Sequence, residues 1–337
     1  MKFSEIFSPG LIKLLKIWRN KNLNNKISLL IDNMEKAIVG KTDVIKKVIC
    51  SMLCGGHVLI EDVPGVGKTQ LVSALAKSVN GRFNRIQLTP DIMPSDIVGF
   101  SMVNSHTHEL EYKEGVAMCN FLLADEINRA SPKSQSSLLE IMEEHQISLD
   151  GKTHKLPEPF MTLATQNPVE TYGTYHLPEA QMDRFLMKLS MGYPDMEEEL
   201  RIMEGSEFGS PAKSISAVLN VSDITELQEE VKNVTVARNL REYIVAIAEK
   251  SRNSPLVDLG ISPRGSIALL KASKAYAFIE GRDFVIPDDI LAVSASVLAH
   301  RIMLSGKGRA EGNAETAIKK IIDEVPVPIK RKEVLKR

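Results

Sequence analysis

The sequence predicts an α/β domain, a parallel five-stranded sheet between helices, followed by an all-helical domain. Three observations carry this. Short apolar runs alternate with helical stretches from about Ile27 to Pro194, the pattern of chains that layer helices over a parallel sheet. After Pro194 the strand signals stop while helical periodicity continues. One apolar run also ends in a glycine-rich loop that opens into a helix, a local form suited to phosphate.

The elements follow in order. Leu11, Leu14, Leu15 and Trp18 repeat at helical spacing, with Lys13, Lys16 and Arg19 among them. Residues 1–26 therefore read as an amphipathic extension that docks on its own domain or a neighbour, with a membrane-surface anchor as the alternative. The stretch lacks the unbroken apolar centre and small-residue cleavage site of a signal peptide. No apolar run reaches the roughly 18 residues that span a bilayer, so no transmembrane segment is expected. In the α/β domain, 27–194, the strands are His57 to Glu61, Phe83 to Leu88, Phe121 to Asp125, Phe160 to Thr165 and Phe185 to Ser190. They are too continuously apolar for a half-exposed sheet and suit one buried on both faces. In the helical domain, 195–337, helices are expected over Asp195 to Glu204, Asp223 to Lys232, Val236 to Lys250, Pro263 to Ile279 and Pro287 to His300. Ser262-Pro263 and Pro287-Asp288-Asp289 mark two of their starts with a first-turn proline or acids. A short basic tail, Lys330, Arg331, Lys332, Lys336 and Arg337, closes the chain.

Of 337 residues, 43% are hydrophobic and 25% charged, enough for a large core. Lys and Arg number 42 against 43 Asp and Glu. Nucleic-acid binders carry a basic excess or stripe, so no nucleic-acid partner is expected. The three cysteines, Cys50, Cys54 and Cys119, form no disulfide framework and read as small buried hydrophobes. A reducing, cytoplasmic setting fits them.

The chemistry is concentrated after the first strand. Glu61-Asp62-Val63-Pro64-Gly65-Val66-Gly67-Lys68-Thr69 follows the phosphate-loop pattern except that Asp62 replaces its first glycine. That position is expected to matter little. Gly65 and Gly67 let backbone N–H groups curl round a β-phosphate, and the helix start adds its positive end. Lys68 is suited to neutralise β- and γ-oxygens, and Thr69 to offer a hydroxyl to Mg²⁺. The apolar run Phe121-Leu122-Leu123-Ala124 then delivers Asp125 and Glu126 at a strand's carboxyl end, where such sheets bind ligands. Asp125 is placed for the Mg²⁺ shell and Glu126 to deprotonate an attacking water.

These motifs resemble those of the MoxR family of AAA+ ATPases. The loop with its acidic residue is similar to the family's form. So are Ala124-Asp125-Glu126-Ile127-Asn128-Arg129-Ala130, the sensor strand Ala164-Thr165-Gln166-Asn167-Pro168, the finger segment Leu177-Pro178-Glu179-Ala180-Gln181-Met182-Asp183-Arg184-Phe185 and the second sensor Ile261-Ser262-Pro263-Arg264-Gly265. They keep AAA+ order over roughly Ile38 to Ala299. The resemblance implies an AAA+ P-loop domain with a helical lid. It implies that Asn167 helps place the lytic water and that Arg184 reaches a neighbouring subunit's nucleotide, with Arg129 a competing finger. Arg264 would contact phosphates from the lid, and Ile38-Val39-Gly40 would cup the adenine, while Pro64 to Gln70 (Pro64, Gly65, Val66, Gly67, Lys68, Thr69 and Gln70) would wrap the phosphates. ATP and Mg²⁺ are the implied cofactors.

Two inserted segments are similar to hairpins of the same clade. One lies between Gly99 and Gly115, carries Phe100, Met102, Val103, Leu110 and Tyr112, and has His106 and His108 at its tip as solvated loop residues. The other runs from Gln146 to Leu156 around the turn signal Asp150-Gly151. Between the acids and this second hairpin, Ser131-Pro132 caps a helix with Leu138, Leu139 and Met142 on one side, a candidate lever. The resemblance implies a homo-oligomer, generally a hexameric ring. It implies remodelling, maturation or activation of a protein client, often one with a von Willebrand factor A domain. The alternative is a nucleic-acid-stimulated motor, since helicases of the clade share such hairpins; charge argues against it. A phosphotransferase would not need the finger and second-sensor segments.

Overall fold

A computed structural model of the protein describes residues 23, 25–168, 174–175, 177–207 and 215–328. The Leu11 to Trp18 repeat and the basic tail lie outside the described residues. The chain forms two compact units. One comprises Met1–Lys232 with Ile279–Gly281, the other Asn233–Phe278 with Arg282–Arg337. The change from strands to helices after Pro194 thus precedes the division between units, because the helices that follow at once belong with the sheet.

Among the described residues the first unit has a helix through 25–35 (α1), followed by α2 (Thr42–Leu53), β1 (Val58–Glu61), α3 (Lys68–Ser78), β2 (Phe83–Gln87) and α4 (Pro94–Val98). A hairpin of β3 (Gly99–Val103) and β4 (Leu110–Glu114) precedes β5 (Phe121–Asp125) and α5 (Pro132–Glu144). A second hairpin, β6 (Gln146–Leu149) and β7 (Lys152–Lys155), leads to β8 (Met161–Gln166), α6 (Glu179–Met182), β9 (Met187–Leu189), α7 (Met196–Glu207) and α8 (Val221–Lys232). The five expected strands form one sheet in the order β2-β5-β8-β1-β9, every pair parallel. β5 is buried throughout and β8 up to Thr165. β2 departs from the expected burial. As an edge strand it leaves Arg85 and Gln87 exposed while Ile86 is buried. Parallel pairing places the carboxyl ends of all five strands on one side, with Glu61 opposite Gln166 and Gln87 opposite Asp125.

Local chemistry explains where the key helices begin and end. The Ser131 hydroxyl accepts from the Ser134 N–H, and Pro132 opens α5 where no N–H is needed. His145, in the left-handed region, ends it. At the amino end of the sheet His57 is buried: its Nδ1 accepts from the Thr162 N–H at 2.9 Å, and its Nε2 donates to the Met142 carbonyl at 2.8 Å. One imidazole thus joins β1, β8 and the last turn of α5. Asp150 and Gly151, with φ of 49° and 73°, make the tight turn of the second hairpin. The Tyr112 ring of β4 stacks on the His154 ring of β7, centroids 4.0 Å apart. The first hairpin leaves Phe100, Met102, Val103 and Leu110 exposed. Cys50 and Cys119 are buried as expected, whereas Cys54 is half-buried.

The second unit contains α9 (Arg238–Arg252), β10 (Val257–Leu259), α10 (Pro263–Ile279), α11 (Pro287–Leu298), β11 (Met303–Leu304), α12 (Gly306–Glu311) and α13 (Ala314–Asp323). It is mainly helical, with a short antiparallel ladder, β10 with β11, and an isolated parallel bridge between Thr235 and Phe284, which the expectation of an all-helical domain omitted. α11 starts with Pro287, and Asp289 accepts from the Ile286 N–H at 2.8 Å. Among the described residues no helix is long and apolar enough to cross a membrane.

Candidate active site

The site is built at the carboxyl ends of β1, β5 and β8. β1 runs into the loop 62–67, where Gly65 and Gly67 have φ of 89° and 92°, a backbone that side chains with a Cβ resist. The loop ends at Lys68, the first residue of α3, whose Nζ donates to the Asp62 carbonyl at 3.0 Å. Asp62 is buried and ties three strands together. Its N–H donates to the Gln166 carbonyl at 3.2 Å. Its Oδ2 accepts from the Ser190 hydroxyl and the Gly192 N–H, each at 3.2 Å, and from the Met191 N–H.

The two acids are held by one threonine. The Thr165 hydroxyl donates to Asp125 Oδ1 at 3.1 Å and accepts from the Glu126 N–H at 2.9 Å. The other Asp125 oxygen accepts from Arg85 Nε at 2.6 Å. Glu126 has φ of 56°, and its carboxylate pairs with Arg129 Nη1 at 3.0 Å. Lys68, Thr69, Asp125, Glu126, Thr165 and Asn167 line one cavity of about 370 Å³, together with Arg85 and Gln87. A neighbouring cavity of about 610 Å³ is walled by Ile38, Val39, Val66, Met191, Tyr193 and Ile202. Both include Pro64, Gly65, Gly67 and Gln70, so they form one cleft with a polar and an apolar end. Gly40, at φ of 74°, lies beside it. Its positive φ favours glycine, and a Cβ there would stand 1.8 Å from Glu198 Oε1 on α7, so that carboxylate would have to move aside.

The donor set suits Mg²⁺. Thr69 offers a hydroxyl and Asp125 a carboxylate, hard oxygens facing the same cavity. Among the described residues there is no group of three or more His, Cys, Asp or Glu that could hold a metal. Mg²⁺ typically takes one or two carboxylates and completes its shell with water and substrate phosphate.

One expected site residue of the same unit lies apart from this cluster. Arg184 lines neither cavity. Its Nη2 pairs with Glu143 Oε2 of α5 at 3.2 Å. Arg264 is an exposed residue in the first turn of α10, in the second unit. Four residues of the site were missed. Arg85 and Gln87 alternate along β2 and so share a face, a signal available from the strand period. Thr165 was visible as a polar residue closing an apolar run. Asp62 had no local signal, since its carboxylate's partners lie on the far side of the sequence.

Comparisons with known proteins identify the family. Residues 57–187 match the ATPase family associated with various cellular activities (AAA), and residues 249–324 match the AAA lid domain. The YeaC protein of Bacillus subtilis is 49% identical, covering 93% of this chain and 98% of its own. Chaperone MoxR1 of Mycobacterium tuberculosis is 40% identical over 88% of this chain and 80% of its own, and Protein MoxR of Paracoccus denitrificans 31% identical over 86% and 93%. A crystal structure of a Cytophaga hutchinsonii protein assigned as an ATPase superimposes with a TM-score of 0.87 at 38% identity, covering 94% of this chain and all of that one.

Proposed function

Since the chain belongs to the MoxR family of AAA ATPases, we propose that it binds and hydrolyses Mg-ATP in an oligomeric ring and uses the cycle to remodel or activate a protein partner. The observation that carries the hydrolytic part is the convergence of Lys68, Thr69, Asp125, Glu126 and Asn167 on one cavity beside a left-handed glycine loop. In this reading the apolar end of the cleft, with Ile38 and Val39, takes the base. The loop N–H groups and Lys68 take the phosphates. Thr69 and Asp125 would hold Mg²⁺, which when bound would neutralise charge on the β- and γ-oxygens. Glu126 accepts a proton from the attacking water, and Asn167 helps position that water. Thr165 keeps both acids in register. Arg264 is proposed to contact phosphate from the lid.

Arg184 supports the ring. It lines neither cavity of its own chain, which suits a residue that serves a neighbour's nucleotide, where a guanidinium donates two hydrogen bonds to phosphate oxygens. A chaperone-named relative supports a protein client, and a von Willebrand factor A domain is the client feature proposed. The test is phosphate release by the purified protein with Mg-ATP, set against Glu126→Gln. The substitution keeps shape and removes the base. Binding should persist while turnover falls about 10²–10⁴-fold; near-wild-type release from the variant would exclude the role given to Glu126.

A further inference from the structure

We propose that Asp62 is the positioning residue that couples base recognition to phosphate recognition. It stands at the one position where the loop departs from the general phosphate-loop pattern. The inference rests on the nucleotide reading above. The loop's main chain and the wall of the apolar cavity belong to different parts of the sequence. Pro64, Gly65 and Gly67 follow β1, whereas Met191, Gly192, Tyr193 and Pro194 follow β9. β1 and β9 pair along Val58 to Ile60 only. Beyond that ladder the link between them on which this inference turns is the Asp62 carboxylate, which accepts from Ser190, Met191 and Gly192. On the other side, the same residue's carbonyl accepts from Lys68 Nζ, the cation facing the phosphates. A single buried residue therefore holds the phosphate lysine through its main chain and the base-cavity wall through its side chain.

The chemistry suits a clamp of fixed shape. An ionised carboxylate is acceptor-only and strong toward N–H groups. Here one oxygen gathers two successive backbone N–H groups and a hydroxyl. Glycine at this position could not reach across. The wall would then adjust independently of the loop, and Met191 and Tyr193 would no longer stand at a set distance from Gly67. The expected consequence is specific. The phosphate end keeps Lys68, Gly65 and Gly67, so an inorganic polyphosphate should bind as before. A ligand that must satisfy both ends at once should lose affinity, and preference between bases should weaken.

The experiment measures binding of Mg-ATP, Mg-GTP and Mg-tripolyphosphate by calorimetry to the full chain, Asp62→Gly and Asp62→Asn. Asp62→Gly should bind ATP about 10-fold or more weakly, consistent with losing charge-assisted hydrogen bonds. Its ATP-to-GTP ratio should move toward unity, and tripolyphosphate affinity should stay within about twofold of wild type. Asp62→Asn keeps an acceptor without the charge and should fall between the two, which provides the reading should Asp62→Gly not fold. Wild-type ATP affinity and an unchanged base ratio in the variant that folds would overturn the coupling. Equal losses for ATP and tripolyphosphate would overturn it too, since they would mark a disrupted loop. A wild-type chain that binds tripolyphosphate but not ATP, or neither, would overturn the nucleotide reading itself.

Discussion

Glu126 occupies the left-handed region, which few residues other than glycine adopt. Its N–H is held by Thr165 and its carboxylate by Arg129 of the same chain. Arg129 is therefore placed to orient the proposed base of its own site. Arg129→Ala should keep ATP binding and lower turnover by up to about 10²-fold, the cost of a misplaced reacting group. Mixing it with Glu126→Gln should restore nothing, because each subunit's own site stays defective; recovery of phosphate release in that mixture would show Arg129 working across an interface instead. Lys68→Ala removes the side-chain ammonium proposed to face the phosphates. It should weaken ATP binding at least about tenfold by calorimetry, and unchanged affinity would count against the loop assignment. Lys68, Thr69, Asp125 and Glu126 were legible because their chemistry is written in adjacent residues. Arg85 and the Asp62 carboxylate were not, because their partners lie 40 to 130 positions away.

At the scale of elements, α5 is the connecting part. It starts three residues after Arg129 and ends where the second hairpin begins. On the way it presents Glu143 to Arg184 and the Met142 carbonyl to His57. Burial is the main reason the His57 pKa falls from 6.5 to about 4, with nearby His145 adding to the effect and the Met142 bond opposing it. The neutral ring is also required by its own bonds, since Nδ1 must accept from Thr162. Protons therefore bind the unfolded chain more readily than the folded one between about pH 6.5 and 4. Stability should be fully present above that window and decline as pH falls through it, on the order of 3 kcal/mol at about 1.4 kcal/mol per unit. Urea titrations at pH 7.5, 5.5 and 4.5 check this, and His57→Gln should flatten the slope. If wild type and variant lose stability in parallel, His57 is not the group responsible. The strands themselves were readable to within one or two residues, since buried apolar runs name their own limits. Their lateral order was not, which is why β2 was expected to be buried and proved to be an edge. β10 and β11, three and two residues long, are too short to show a period.

At the scale of the whole molecule, the proposal of a shared site makes a prediction that no single subunit can satisfy. Arg184→Ala should bind ATP normally and lose most hydrolysis, since such fingers contribute about 10³–10⁵ in rate. Mixed with Glu126→Gln under subunit exchange, some activity should return, because an intact arginine then meets an intact glutamate. Proven exchange without recovery would refute the trans role. The order of motifs along the chain announced such an assembly only through family likeness; nothing in a lone chain's periodicity or charge encodes a neighbour.

The stack of Tyr112 on His154 gives the two hairpins a shared load path. They enter the chain on opposite sides of β5, yet face-to-face rings join them. A pull on the apolar strands at Phe100, Met102 and Leu110 would be borne by that stack on β7. The end of β7 is tied to the end of α5, where the Leu156 N–H donates to the His145 carbonyl, and the first turn of α5 is tied to the residue after Glu126, where Gln135 Nε2 donates to the Ile127 carbonyl. The greasy hairpin is in that sense one end of a run of contacts whose other end is the segment carrying Glu126, the proposed base.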